Sequence, residues 1–431
     1  MLQAGVAETI ISPPKELMLG GYARGDRHNK GVHDPLYATA LALMQGGKTL
    51  IWVSLDILTI PKKVIAEVKK VIHMATGIPK DQILLCCSHT HSGPRMGTKE
   101  DTSTLYQIYE SSLTRKLIML IEAALSRPFP AKLGTLAGRC GEKDGVGGNR
   151  FIRGGVADDT LGLLAVRDNT GRLRLVMANY ALHPTVLHED NVLVSADYPG
   201  AIRRRLQAIY PDVLFGFLQG ASGNQSTRYF RQGQGFDEVE RIGGALGDAA
   251  LDALSRMRFD EPELRYVTGS SPLYLRDYPP EEKILQEISK KNALEQQLIA
   301  ENAAYTDIQD AHNKAIGAEC LLANARESAQ LKAGMNAEND HSRLAALRLG
   351  DTVFFFTQGE LFLEYALEIR AASSARNTFI VTLTNGYLPG YVYTRSAMAY
   401  GGYEVDNSML APETGEALSK NGQAMVKGIS Q

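Results

Sequence analysis

The spacing of apolar and polar positions divides the chain into short runs with the length of strands and longer one-sided runs with the length of helices. Leu50 to Asp56 (LIWVSLD) is an apolar, β-branched run, the pattern of a strand covered on both faces. Pro61 opens a helix carrying Val64, Val68, Val71 and Ile72 on one face, and Gly77-Ile78-Pro79 stops it. Gln82 to Cys87 (QILLCC) is the next strand, completing a βαβ unit. The pattern recurs with a strand from Leu173 to Leu182, a helix started by Asp197 and Pro199 that runs through Ile202, Leu206 and Ile209, and a strand from Val213 to Leu218. Further on, Ala346 to Leu349, a Gly350-Asp351 turn and Thr352 to Thr357 predict a hairpin, followed by a helix from Phe362 to Ser373 and a strand from Thr378 to Thr384. The expectation is an α/β fold with a mixed, mostly parallel sheet, helical crossovers and one catalytic domain over residues 1–431.

One stretch departs from this alternation. Residues 280–334 are rich in Ala, Glu, Gln, Lys and Leu, with Ile284, Ile288, Leu294 and Leu298 as apolar positions, and have no proline after the first pair. They predict a helical hairpin inserted in the α/β framework. Its use is either a solvated brace, or a lid or contact in a homo-oligomer.

Composition narrows the class. Apolar residues make up 44% of the 431 positions and charged ones 22%, with 46 basic against 48 acidic side chains, so no basic excess points to nucleic acid. Four cysteines are too few for a disulfide scaffold, and Cys86-Cys87 lies inside an apolar run. No apolar stretch is long enough to span a bilayer. The first residues lack the basic and apolar regions of a secretory leader, so a cytoplasmic location is expected unless a leader has been removed.

Candidate chemistry gathers where strands end. Ser88-His89-Thr90-His91-Ser92-Gly93-Pro94 follows QILLCC, His183-Pro184 follows the strand from 173, Gln358-Gly359-Glu360 follows VFFFT, and Asn385-Gly386-Tyr387 follows FIVTLT. In α/β sheets sites form outside the carboxyl ends of strands, so these exits could share one crevice. His89 and His91, spaced i, i+2, put both imidazoles on one face of an extended segment. Glu360, emerging from an apolar strand, must be exposed, paired or on a metal. His188-Glu189-Asp190 is a competing ligand cluster that reads mainly as solvated loop, and composition alone leaves Tyr387 an ordinary phenol. Imidazoles plus a carboxylate suit Zn2+, whereas magnesium or calcium would want oxygen ligands. The chain has no GxxxxGK[ST] loop, HExxH helix or GxSxG elbow, and Gly220-Ala221-Ser222-Gly223-Asn224 reads as a tight glycine turn near the crevice.

At these residues the chain resembles the catalytic domain of the neutral/alkaline, non-lysosomal ceramidases. The matching segments include GVHDPLYATALAL from Gly31, VSLD from Val53, SHTHSGP from Ser88, Asn149-Arg150, ALHPT from Ala181, SADYPG from Ser195, FLQGASG from Phe217, Gly359-Glu360, and Asn385-Gly386-Tyr387 with Gly390-Tyr391. The resemblance implies a zinc held by His89, His183, Glu360 and Tyr387, with His91 and Arg150 facing the substrate carbonyl; Arg95, Asn224 and Tyr391 are the expected substrate contacts. It implies a zinc-dependent hydrolase acting on an amide bond; a zinc esterase or lactonase is the competing enzyme, and a binder that has lost turnover the non-enzymatic alternative. The chain departs from the family at Arg95-Met96, where ceramide-cleaving members have small residues, and at Asn224, where Asp is common. A guanidinium at 95 would be costly against a lipid tail. The expected partner is therefore a small polar, anionic acyl substrate rather than long-chain ceramide, with ceramide itself as the alternative.

Overall fold

The computed structural model describes residues 1–22, 26–97, 103–336 and 340–431. Its larger sheet is built from β1 (Gln3–Ile10), β2 (Tyr37–Gln45), β3 (Lys48–Leu55), β4 (Ile83–Cys87), β5 (Phe129–Arg139), β6 (Thr160–Asp168), β7 (Leu173–Tyr180) and β8 (Leu214–Gln219). These eight lie in the order β8-β7-β6-β5-β1-β2-β3-β4. The second sheet has β9 (Leu264–Pro272), β10 (His341–Leu349), β11 (Thr352–Thr357) and β12 (Asn377–Val381), in that order.

Side-chain alternation shows how the layers stack. Along β3, Leu50 and Trp52 point into the core between the two sheets, while Ile51, Val53 and Leu55 point outward under helices α1 (Lys62–Thr76) and α2 (Thr104–Ser126). Farther along the same outer face, α3 (Tyr198–Gln207) and α4 (Phe236–Arg256) cover Leu161, Leu163, Val176, Phe215 and Phe217. Along β11, Phe354 and Phe356 meet Trp52 edge-on at 5.0 Å between ring centroids. Val353 and Phe355 face the other way, under α7 (Leu363–Ala371) and α8 (Pro412–Ser430). The result is four layers, helix on sheet on sheet on helix.

The α/β class with helical crossovers is as expected, but the larger sheet is less parallel than expected. Only its outer pairs, β7–β8 and β3–β4, are parallel, and the strands between them are antiparallel. An apolar run of strand length signals burial on both faces, not strand direction. Here the second face is closed by another sheet, which leaves direction free. The stretch 280–334 forms the expected hairpin, α5 (Glu281–Ala300) and α6 (Tyr305–Gly334), inserted between the antiparallel partners β9 and β10. Among the described residues no helix is long and apolar enough to cross a membrane.

Candidate metal centre

The loops that leave β4, β7, β8, β11 and β12 interlock before any functional side chain is considered. Glu360–Leu361 pairs in parallel with Tyr391–Val392, and Gln225–Ser226 pairs with Gly148–Asn149. The Gly223 amide donates to Leu361 (2.9 Å), the His183 amide to Gln225 (3.1 Å) and the Arg150 amide to Asn224 (2.9 Å). Gly223 must be glycine, since a Cβ there would lie 2.9 Å from the carbonyl oxygens of Glu360 and Leu361.

One residue ties the two sheets together at this point. Asn385, in the left-handed region at φ 57°, accepts from the Leu85 amide (3.0 Å) and donates to the Ile83 carbonyl (3.1 Å) through its side chain. Its own amide donates to the Leu85 carbonyl (2.8 Å). Asn385 thus acts as an extra strand partner for β4 and brings Tyr387 beside the His89 loop. The sequence marked this residue only as part of a motif; its left-handed backbone is what a polar Asn next to Gly can signal.

His89, His91 and His183 are all buried, and one ring nitrogen from each lies within 4.8 Å of the others. Two of these rings are oriented by backbone. Nδ1 of His89 donates to the Leu58 carbonyl (2.9 Å) and Nδ1 of His183 to the Ser222 carbonyl (2.7 Å). With the proton on Nδ1, each Nε2 carries a lone pair, and both are aimed at the same oxygen, Oε2 of Glu360, at 3.3 Å from His89 and 2.9 Å from His183. The other carboxylate oxygen accepts from the Tyr387 hydroxyl (2.9 Å).

The electrostatics of this group conflict internally. Burial opposes ionisation of Glu360, but the neighbouring His89 and His183 outweigh it and hold the carboxyl well below its usual range. Burial, followed by Arg150, drives His183 down to about 4, although Glu360 resists. The carboxylate gains from cationic imidazoles, and the burial that encloses it makes His183 neutral. A bound cation removes the conflict, because all three groups then present lone pairs to it. The donor set therefore fits a metal of zinc type.

His91 differs from the other two imidazoles. Neither ring nitrogen has a hydrogen-bond partner among the described residues, and the ring rests on Tyr22 (5.1 Å between centroids) and on Gly21. Burial and then the two other imidazoles hold it well below its ordinary pKa, against Glu360. Gly21 has φ 94°, and any Cβ there would overlap the His91 ring. Arg150 is buried, with its Nη2 donating to the Gly223 carbonyl (3.0 Å) and the Tyr391 hydroxyl (3.2 Å) and its Nε paired with Glu404 (2.8 Å). Burial alone would weaken its charge; Tyr391, Glu404 and Glu360 outweigh that and keep it cationic.

A cavity of about 710 Å³ opens over the centre, lined by His89, His91, Glu360, Tyr387 and Tyr391 at its base. Leu58, Ile60, Pro61, Met96 and Tyr106 give it an apolar wall, and Arg95, Lys62, Lys63 and Glu110 add charge, Lys63 and Glu110 being paired at 2.7 Å. Arg95 and Tyr391 thus lie where a substrate could meet them. Asn224 does not line either cavity beside the centre. Its amide group is taken up by Glu364 (2.8 Å), by the Leu363 amide at the start of α7 (3.0 Å) and by Gln225 (3.1 Å). Asn224 thus supports the α7 start, next to Glu360. The sequence also gave no sign of the Leu58 and Ser222 carbonyls, since a backbone acceptor carries no residue signature.

No protein-family model and no curated protein matches the chain. Solved structures do match in fold. Neutral ceramidase from Pseudomonas aeruginosa superposes with a TM-score of 0.74 at 17% identity, over 100% of this chain and 74% of that one. A ceramidase complexed with C2 gives 0.74 at 16% identity, over 99% of this chain and 75% of the other. The chain therefore has the neutral ceramidase fold along its length, as the resemblance read from its motifs implied.

Proposed function

We propose that the protein is a zinc-dependent hydrolase of an N-acyl amide bond. The observation that carries this reading is the pair of Nε2 lone pairs turned on one Glu360 oxygen, with both Nδ1 atoms committed to backbone carbonyls. His89, His183 and Glu360 would hold the ion, with Tyr387 hydrogen-bonded to the same carboxylate. When bound, zinc supplies Lewis acidity, bringing the ionisation of water toward neutral pH and polarising a carbonyl.

The chain's own residues do the rest. Arg150, fixed by Glu404 and the Gly223 carbonyl, offers a buried cationic donor where negative charge develops on the acyl oxygen. Tyr391, held by that guanidinium, adds a hydroxyl on the same side. His91, without partners of its own and facing the cavity, can take a proton from attacking water and deliver it to the departing nitrogen. The apolar wall of Leu58, Ile60 and Met96 accepts an acyl chain and keeps bulk water from the centre. The fold shared with neutral ceramidase supports an acyl-amide substrate, and Arg95 on the cavity wall supports a polar rather than a two-chain lipid one.

Elemental analysis of protein purified without added metal, and after zinc reconstitution, tests the reading together with one variant. His91→Ala should keep the metal and lower kcat on an N-acyl amide by about 10²–10⁴-fold, the usual range for a lost general acid–base. A preparation with no affinity for any transition metal removes the proposal. Metal loss in His91→Ala would make His91 a ligand instead.

A further inference from the structure

A second, smaller cavity of about 70 Å³ adjoins the first and shares Gly21, His91, Tyr391 and Tyr403 with it. Its character is different. Three guanidinium groups, Arg150, Arg228 and Arg231, line it against a single carboxylate, Glu189. Arg150 is matched by Glu404 behind the wall, and Arg228 has Asp310 at 3.9 Å. Arg231 donates to the Thr185 carbonyl (3.1 Å) and has no carboxylate within ion-pair distance among the described residues. His312, from the inserted hairpin, closes the cavity with Ile316 and is paired with Glu295 (2.7 Å). The neighbouring His188 registers this excess of positive charge: burial first, then Arg231 and Arg228, push it down to about 3.

We propose that this cavity receives the carboxylate of the substrate, so that the enzyme hydrolyses N-acyl amino acids, with the acyl chain in the larger cavity. The inference rests on the amide-hydrolase reading and names the substrate class for it. Size and reach both point to an α-carboxylate. The space is small, about 70 Å³ against about 710 Å³ in the first cavity, which suits a compact anionic group rather than a chain. His91 and Tyr391 border both cavities, so a group in the smaller one lies next to the scissile amide held over the centre. A planar carboxylate also matches the fork of Arg231. The reaction balances with water as co-reactant: the carbonyl carbon gains a C–O bond, the C–N bond breaks, and the products are a fatty carboxylate and an amino acid whose nitrogen has taken the proton from water.

The test uses N-octanoylglycine and its neutral counterpart, N-octanoylethanolamine, both at monomeric concentrations. Titration calorimetry on metal-free protein should show the glycine conjugate binding about tenfold tighter, with Arg231→Gln bringing the two together and Arg231→Lys keeping part of the preference. Zinc-loaded protein should show the same ratio in kcat/KM, expressed in KM. Equal binding of the two probes, or tighter binding of the ethanolamide, overturns the carboxylate pocket. If both probes are cleaved at equal rates, the amide-hydrolase reading stands and the pocket assignment falls. If the glycine conjugate binds selectively but neither probe is cleaved after zinc loading, the pocket stands and the hydrolase reading falls.

Discussion

The floor of the centre and its roof are held by different means. On the floor, His89 and His183 are fixed by backbone carbonyls, Glu360 by Tyr387 and the start of α7 by Asn224, and the loops between them by short strand pairs and by Asn385. The roof is the α6 helix lying on the short helix Tyr403–Asp406. It approaches through small residues, Ala311, Ala315, Gly317 and Ala318, and through polar links such as Tyr229 to Asp310 (3.1 Å), while Lys291 of α5 reaches Asp406 (3.1 Å). Much of α5 faces solvent, Leu285, Leu294 and Ile299 included. A floor locked by backbone suits ligands that must keep their geometry. A roof resting on small side chains depends instead on close backbone approach, as at Gly317 against Tyr403.

The sharpest way to break this comparison is at Glu360. Glu360→Ala should lower zinc affinity by more than the about 10–100-fold typical of an outer hydrogen-bond partner, measured by competition with a chelator, and should abolish turnover. Asn385→Ala comes next. It loses the two side-chain hydrogen bonds to β4, keeping only the backbone one, and places Ala in a left-handed backbone, so a loss of about 2–3 kcal/mol in denaturant unfolding is expected, with a roughly tenfold weaker metal site. Gly317→Val acts on the roof alone. Its new side chain meets the Tyr403 backbone, where a Cβ would already be 2.9 Å from Cα, and should cost about 1–3 kcal/mol and raise KM. Zinc affinity should not change; if it falls as far as in Asn385→Ala, floor and roof are one unit.

The smallest effect is one of pH. Asp197 caps α3 and also accepts from the Val186 and Leu187 amides in the loop after His183, and burial pushes its carboxyl from 3.8 up to about 7. The folded state therefore holds this proton more tightly than the unfolded state. Its contribution to stability is full below the unfolded value and is lost as pH rises through about 7. Melting curves of wild type and Asp197→Asn, compared at each pH so that other groups cancel, should shift against the wild type between about pH 4 and pH 7 as it loses this contribution, and hold a constant difference above about pH 7. A constant difference across that range would mean that Asp197 is ionised throughout.

Much of this was legible in the sequence where a local pattern has one physical meaning. Pro61 and Gly77 bound α1 because one fits a helix start and the other, at φ 73°, ends it in a left-handed turn. The His89, His183, Glu360 and Tyr387 exits were visible because polar residues following buried strands have few uses. Strand direction was not legible, because Leu50–Asp56 reads the same whether helices or a sheet cover its second face. The bonds of Asn224 to Glu364 and Leu363 were not legible, since those neighbours lie far along the chain. The Arg228 and Arg231 wall was missed for a related reason: in sequence they are two arginines of a polar loop, and only the inserted hairpin makes a cavity of them.

The link between Asn385 and Leu85 spans 300 residues, and it carries a consequence for how the protein is made. Bringing such distant segments together costs chain entropy before any contact rewards it, and folds dominated by distant pairings form slowly. Helices α1 to α4 can gather on the larger sheet while the last quarter of the chain is still unstructured, but the complete ligand set requires the second sheet to dock. On the proposed metal assignment, a competent site would form only after residues through Tyr387 have been made and the second sheet has docked, so metal loading would report completion of this fold rather than guide it.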